Sequence, residues 1–144
     1  MRYYEAKRTI HAPASKVWEV LVDAPAYTSW DSGIVKVEGT LGFREQLKVY
    51  SRLMPNRAFP VVVSELEHAK RMTWTGGMPV PGLFRGRRTF TLAEDGSVTE
   101  FHMREEFTGL LLPLMWRMMP DLQPTFDQFA DGLKAKAEAA ASTV

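Results

Sequence analysis

Hydrophobic and polar residues follow three successive patterns along the chain. Residues 3–10 alternate and include Tyr, Thr and Ile, which predicts a first strand. Pro13 suits the first turn of a helix, and Asp23 suits the N-cap of a second short helical segment that ends near Trp30. From Gly33 onward a period of two predicts six further strands, mostly joined as antiparallel hairpins. These strands cover residues 34–38, 43–53, 58–67, 70–75, 84–93 and 98–107.

The C-terminal part returns to a helical period. Apolar residues recur there at intervals of three and four, which is typical of a helix that packs against a core. They are Met115, Met119, Leu122, Phe126, Phe129, Leu133 and Ala137. Pro113, Pro120 and Pro124 predict a kink near the start of this helix, or a separate segment before it. Strands and helices that are segregated along the chain indicate an α+β fold, and a length of 144 residues suggests one domain over 1–144.

Composition and charge exclude several classes of function. The 18 Lys and Arg against 17 Asp and Glu give a net charge of +1, which argues against a nucleic-acid binder and a polybasic membrane anchor. Cysteine is absent and the three histidines are far apart, so we expect no thiol chemistry, no metal site and no cofactor. No apolar run reaches the length of a bilayer span or a signal peptide, so we expect a cytoplasmic protein without stable membrane insertion.

Several short stretches, taken in order, resemble the START-like superfamily. They are Ile10-His11-Ala12-Pro13, Val17-Trp18, Tyr27 with Trp30, Leu66 through Trp74-Thr75-Gly76, Phe84-Arg85-Gly86 with Phe90, and Glu106-Phe107-Thr108-Gly109-Leu110-Leu111. This superfamily, also called SRPBCC, includes Bet v 1-like and polyketide cyclase/dehydrase-type proteins. The resemblance covers nearly the whole chain and implies a helix-grip fold. In that fold about seven curved antiparallel strands wrap around the long C-terminal helix, two short helices follow the first strand, and an apolar cavity lies between sheet and helix.

The hairpin at Asp95-Gly96 predicts a charged pair on the inner sheet face. A two-residue loop of these two residues would place Arg88 opposite Met103 and diagonally from Glu105, within reach of a long side chain. On an otherwise apolar face, Arg88 and Glu105 are candidates for the polar anchor of a ligand. The alternatives are a structural ion pair and an arginine that extends to solvent. Many bacterial relatives carry a histidine where this chain has Arg88, so no role of that histidine is carried over.

Two further ionisable residues are candidates for acid–base chemistry. A His68-Ala69 loop would pair Val63 with Trp74 and place Glu65 on the inner face, whereas a slip of one residue would turn Glu65 outward. His102 falls on the outer, solvated face of its strand. For an enzyme the catalytic candidates are therefore Glu105, Glu65 and His102, in that order, and no motif requires any of them.

The resemblance implies that the inner sheet face, the long helix and one loop line a ligand cavity. The candidate lining residues are Trp30, Val63, Trp74, Met78, Phe84, Arg88, Phe90, Phe101, Met103, Glu105, Met115, Met119, Leu122 and Phe126. Methionines adapt to irregular ligands, although a stripe at helical spacing is also what a plain core requires. The apolar, Gly- and Pro-rich stretch 76–82 predicts a flap at the cavity mouth, or else a long hairpin connection. Trp116 is a candidate for cavity wall or for a homodimer contact.

Three functions remain open at this point. The first is binding of a hydrophobic small molecule, such as a lipid, a polyketide or an aromatic compound, between the sheet and the long helix. The second is a metal-free cyclase or dehydratase that uses a carboxylate in the pocket. The third is a protein-interaction domain similar to the activator of the Hsp90 ATPase, which shares this fold.

Overall fold

The computed structural model describes residues 1–80 and 82–142. Its elements, in chain order, are β1 (Arg2–Ile10), α1 (Ala14–Val22), a 3₁₀ helix (Ala24–Ser29), β2 (Ile34–Glu38), β3 (Gln46–Ser51), β4 (Met54–Glu67), β5 (Arg71–Gly77), β6 (Arg85–Asp95), β7 (Val98–Thr108), α2 (Leu112–Met118) and α3 (Gln123–Ser142). The strands form one antiparallel sheet in the order β1-β7-β6-β5-β4-β3-β2. This confirms the α+β helix-grip fold, with α3 held against a curled seven-stranded sheet.

The helical stripe is divided between two helices. Helix α2 ends at Met118, and α3 begins four residues after Met119 with Pro124 in its first turn. Proline cannot continue a helix, because it lacks the amide donor and clashes with the preceding turn, but it fits a first turn well. Pro120 therefore lies in the break, and the separate segment is the correct one of the two predictions. No helix in residues 1–80 and 82–142 combines the length and the apolarity that a bilayer span requires.

Helix α3 packs along its apolar stripe on the inner face of the sheet. Phe126, Phe129 and Leu133 are at most 2 % exposed and belong to one core cluster with residues of the sheet and α1. Arg8 on β1 holds the helix from the side, because its Nε donates a 2.6 Å hydrogen bond to Asp131. A β-carbon at Gly132 would lie 2.1 Å from the carbonyl oxygen of Asp31, so glycine is what allows the chain after the 3₁₀ helix to approach α3.

The hairpin between β6 and β7 differs from the predicted register by two residues. The loop residues are Gly96 and Ser97, and the register pairs Asp95 with Val98. Gly96 has a φ of +65°, which suits the first central position of a type II′ hairpin turn. The shift corrects the partner of Arg88, which lies opposite Glu105 rather than Met103. Because a shift of two residues keeps every side chain on its face, the predicted inner face is unchanged.

The hairpin between β4 and β5 corrects the position of Glu65. Its loop has three residues, 68–70, and the register shifts between Val63 and Glu65, as in a β-bulge. Val63 still pairs with Trp74, as predicted, but Glu65 pairs with Thr73. The extra residue turns Glu65 to the outer face of the sheet, so the prediction that Glu65 lines the inner face is wrong.

Candidate functional site

A row of side chains crosses the inner face of the sheet on five adjacent strands. The register aligns Val63, Trp74, Arg88, Glu105 and Tyr4, on β4, β5, β6, β7 and β1 respectively. Two members of this row are charged, whereas the next row toward α1 contains Met72, Phe90, Met103 and Ala6. The sheet therefore places a charged pair inside an otherwise apolar surface, under the start of α3.

Arg88 and Glu105 form a close ion pair in this row. Nε of Arg88 donates a 2.7 Å hydrogen bond to Oε1 of Glu105, and the two side chains are 23 % and 15 % exposed. The guanidinium carbon lies 4.6 Å from the centre of the Phe126 ring on α3, in a cation–π contact. A β-carbon at Gly86 would lie 2.6 Å from Oε2 of Glu105, so glycine leaves the room that this carboxylate occupies.

Part of the hydrogen-bonding capacity of this pair is unused. Within the described part of the chain, the two terminal nitrogens of Arg88 donate no hydrogen bond, and Oε2 of Glu105 accepts none. Guanidinium nitrogens are donors only, whereas a carboxylate oxygen is an acceptor. The inner face therefore offers donors and an acceptor side by side to any molecule that reaches it.

Two buried indole N–H groups lack an acceptor. Nε1 of Trp74 and Nε1 of Trp30 are buried without a hydrogen-bond partner among the described residues. Trp74 is 3 % exposed, lies directly opposite Arg88 across β5 and β6, and contacts the Tyr27 ring at 6.3 Å. A buried donor without a partner costs about 1–3 kcal/mol, so most such groups in proteins are paired. Trp74 thus adds a second unpaired donor beside Arg88.

The apolar candidates divide into a packed floor and a half-exposed rim. The floor side chains are at most 3 % exposed and in mutual contact; they are Val63, Trp74, Phe90, Phe101, Met103 and Phe126. The rim side chains are partly or largely exposed, and most of them lie near α2; they are Met78, Phe84, Met115, Met119 and Leu122. Trp30 is half-buried elsewhere, against Phe129 at a ring distance of 5.3 Å.

The predicted flap is attached to the segment before α2. The amides of Leu110 and Leu111 donate to the carbonyl oxygens of Gly82 and Leu83, at 2.9 and 2.8 Å. Residue 81, which belongs to the stretch for which we predict a flap, lies outside the described residues. Val80 is 57 % exposed at the tip. Backbone hydrogen bonds therefore join the loop to the segment before α2.

The other two acid–base candidates lie on the outer face of the sheet. Oε1 of Glu65 accepts hydrogen bonds from Thr73 at 2.9 Å and from Arg87 at 2.7 Å, and these two contacts lower the pKa of Glu65. Nε2 of His102 lies 2.8 Å from Oε2 of Glu5, and this hydrogen bond lowers the pKa of Glu5. Glu105 is thus the one of the three candidates that the structure places on the inner face.

Sequence reasoning missed two aromatic residues at this site, Tyr4 and Tyr27. Tyr4 stacks on Trp116 at 5.1 Å and contacts Phe126 at 5.7 Å. Tyr27 is fully buried, donates its hydroxyl hydrogen bond to the carbonyl of Leu21, and has its pKa raised by burial. The alternation of residues 3–10 predicts that Tyr4 lies in a strand. Its contacts with Trp116 and Phe126 could not be predicted, because they depend on the pairing of β1 with β7, two strands that are far apart in the sequence.

Comparison with solved structures identifies proteins of the same fold. Protein MLL2253 from Mesorhizobium loti has a TM-score of 0.73 and 17 % identity, over 96 % of this chain and 98 % of that chain. The Aha1 dimer from Colwellia psychrerythraea has a TM-score of 0.70 and 15 % identity, over 96 % and 97 %. The di-domain ARO/CYC protein BexL has a TM-score of 0.72 and 14 % identity, over 96 % of this chain and 47 % of that chain.

Comparison with family models identifies a family and not only a fold. A search of curated protein sequences gives no match. The model described as polyketide cyclase/dehydrase and lipid transport matches residues 1–138. This match covers β1 through most of α3, including the row of Arg88 and Glu105. The chain belongs to the polyketide cyclase/dehydrase and lipid transport family.

Proposed function

We propose that the protein binds a hydrophobic small molecule that carries an oxygen acceptor, at the end of the sheet covered by α2. The observation that carries this proposal is the pair of unused donors on an apolar face, the terminal nitrogens of Arg88 and the indole N–H of Trp74. Both groups donate and neither accepts, so a carboxylate or a carbonyl satisfies them and an alkane does not. Membership of a family that includes cyclases and lipid carriers agrees with a ligand of this class.

Apolar contact supplies most of the affinity in this proposal. Each Å² of apolar surface removed from water contributes roughly 25 cal/mol before the entropic costs of binding. The packed floor has no such surface to offer, because Phe90 and Phe126 are at most 1 % exposed. The apolar part of the ligand therefore binds against the rim, where Met115 and Met119 are partly exposed. Their unbranched side chains can change rotamer to fit it.

Glu105 has a positioning role toward Arg88. Its Oε1 accepts the hydrogen bond from Nε of Arg88, and within the described residues the two terminal nitrogens donate none. An arginine held at one edge presents the rest of its planar fork in a fixed orientation, and this geometry matches a carboxylate. The pair thus orients the polar end of the ligand, while α2 and α3 contact its apolar part.

The test compares naphthoate with naphthalene, which share a ring system and differ in the carboxylate. Calorimetric titration of the wild type is expected to show tighter binding of naphthoate. Arg88→Met is expected to weaken naphthoate binding more than tenfold and to leave naphthalene binding unchanged, because one charge-assisted contact contributes about 1.5–3 kcal/mol. Trp74→Phe removes a donor while it keeps an aromatic ring. Arg85→Met, on the exposed start of β6, is the matched control.

Two outcomes contradict the proposal. One is that neither probe binds to the wild type or to a variant, although circular dichroism shows that the protein has its native fold. The other is that Arg88→Met and Trp74→Phe weaken both probes equally, which would make these residues structural parts of the site.

A second candidate function is catalysis by Glu105 in a cyclase or dehydratase reaction. The observation in its favour is Oε2 of Glu105, an inner-face carboxylate oxygen that accepts no hydrogen bond from the described residues. Such an oxygen can take a proton from a bound ligand. Glu105→Gln is expected to abolish turnover and to preserve naphthoate binding. Turnover that survives this substitution excludes Glu105 as the base.

A further inference from the structure

Helix α2 and the turn before it present a ridge of exposed apolar side chains. Leu110, Leu114 and Met118 recur at intervals of four and are 82 %, 54 % and 72 % exposed. Val80, at the tip of the loop hydrogen-bonded to this segment, is 57 % exposed. We call these four residues the α2 ridge. Single exposed apolar residues are ordinary on a protein surface, but several that are grouped in one region mark a contact surface.

The opposite side of α2 is fixed to the protein. Leu112 is 8 % exposed, and the Trp116 ring stacks on Tyr4 at 5.1 Å and contacts Phe107 at 5.9 Å. Helix α2 therefore already packs one side against the protein, so the α2 ridge is not a core-facing side that has been left uncovered. The ridge points outward because the buried side is already occupied.

The surface around the ridge is positively charged. Arg2, Arg85 and Arg117 are exposed there, and none of them forms an ion pair within the described residues. The guanidinium carbon of Arg2 lies 5.4 Å from the centre of the Trp116 ring, and Arg85 pairs with Thr108 just before the α2 segment. Residues 76–85 and 107–120 contain no Asp or Glu. The chain-wide net charge of +1 thus conceals a local excess of arginine at this end.

Three carboxylates of the described residues border this region, and only that of Asp121 is not paired with an arginine, so it offsets one of the three arginine charges and leaves an excess of two. Asp121 follows α2 and accepts a 3.0 Å hydrogen bond from the amide of Gln123. Glu105 is paired with Arg88, and Glu106 is paired with Arg104 at 3.3 Å.

We propose that the α2 end of the protein docks on an anionic membrane surface, with the α2 ridge in the interface and the three arginines against the headgroups. Amphipathic helices that lie in a bilayer interface combine an apolar side with basic residues in this way. Each basic residue near an anionic leaflet raises the affinity about fivefold at low salt. The surface that docks is the same end that covers Arg88, but the docking does not depend on any ligand.

The same charges disfavour a second copy of this chain as the occupant. In a two-fold symmetric contact the same patch meets itself, so Arg85 and Arg117 of one copy would face those of the other. Like charges brought together at an interface oppose association. An anionic lipid surface satisfies the arginines and the apolar ridge at once.

The test is sedimentation with two kinds of vesicle, one of phosphatidylcholine alone and one with phosphatidylserine added. The wild type is expected to sediment with the anionic vesicles, and less so as the salt concentration rises. Leu114→Gln with Met118→Gln is expected to lower vesicle affinity at least tenfold, and Arg85→Gln with Arg117→Gln about 25-fold, at fivefold for each arginine.

Matched controls separate docking from a general loss of surface properties. Phe43→Gln removes an apolar side chain that is 53 % exposed on the β2–β3 turn, against 54 % for Leu114. Lys136→Gln removes an exposed charge on the distal half of α3. Both are expected to bind vesicles like the wild type. The proposal is overturned if the ridge variants, folded by circular dichroism, bind as well as the controls. It is equally overturned if both vesicle types bind alike, or if the ridge supports only self-association in light scattering.

Discussion

Removing one partner of the Arg88–Glu105 pair tests how much the pair contributes to the stability of the fold. Arg88→Met deletes the guanidinium and its contact with Phe126, and leaves a carboxylate that is 15 % exposed. Removal of one member of a fully buried pair costs about 3–5 kcal/mol, because the remaining charge stays uncompensated. Partial exposure of both side chains lets water reach the remaining charge. We therefore expect Arg88→Met to lower the free energy of unfolding by about 2–3 kcal/mol.

The coupling between the two charges can be estimated from their separation. At an effective dielectric constant of about 20, unit charges roughly 4 Å apart attract by about 4 kcal/mol before desolvation. Solvent screens part of this attraction because both side chains are partly exposed, so we expect a coupling of about 2 kcal/mol. An exposed pair contributes about 0.2–1 kcal/mol by the same measure. The pair of Lys70 with Glu67, at 3.7 Å and 72 % and 63 % exposed, is the matched outer control.

The assay is a double-mutant cycle in urea, with Arg88→Met, Glu105→Gln and both together. Glu105→Gln is expected to cost less than Arg88→Met, because the amide oxygen still accepts from Nε of Arg88. The double variant is expected to recover part of the loss. A coupling energy for the inner pair that equals the one for Lys70 and Glu67 would refute the reasoning, since it would mean that solvent screens both pairs alike.

Three further substitutions test separate features of the fold. Gly132→Ala is expected to lower the free energy of unfolding by at least about 2 kcal/mol in urea, because its β-carbon would lie 2.1 Å from the carbonyl oxygen of Asp31. This loss is expected although alanine is the better helix former by about 1 kcal/mol. An unchanged free energy of unfolding contradicts this prediction. Gly86→Ala is expected to weaken naphthoate binding more than naphthalene binding in the same titration as above, because its β-carbon would lie 2.6 Å from Oε2 of Glu105 and displace the carboxylate. The pKa of Glu138 is lowered to about 2, first by the hydrogen bond from Lys134, so its contribution to stability is complete above pH 4.5 and is lost as the pH falls toward 2. Glu138→Gln should make the stability curve flatter over that interval, and parallel curves for variant and wild type would exclude the linkage.

Sequence patterns predict the strands and the faces of the sheet better than they predict which residues pair across neighbouring strands. The period of two between residues 34 and 107 predicts six strands, and the structure has β2 to β7 there. The inner face of β6 and β7 was predicted correctly from a wrong register, because an even shift preserves the side on which each residue lies. The face on which Glu65 lies was not predicted correctly, because the three-residue loop and the bulge shift its register by one residue. A single extra residue decides the face, and no periodicity reveals it.

Features that depend on distant strands were beyond the reach of sequence patterns. Trp74 is a good core residue by any local rule, and only its surroundings show that its indole N–H has no acceptor. Helix α2 reads as part of one apolar stripe with α3, because Met115 and Met119 continue its spacing. The outward direction of Leu114 follows only when Tyr4 and Phe107 are seen to hold the other side of the helix.

The two ends of the molecule differ in how completely their polar groups and apolar surfaces are satisfied. At the α1 end, Glu138 accepts from Lys134 at 2.7 Å and from the amide of His11 at 2.8 Å, and Glu94 accepts from the amide of Ala14 at 2.6 Å. The α2 end has an unpaired buried donor, unused guanidinium nitrogens and an apolar ridge in solvent. A buried donor without a partner lowers stability, and an apolar side chain in solvent gives up the free energy of burial. This difference between the two ends agrees with the proposals that the α2 end is where the protein binds its ligand and docks on a membrane.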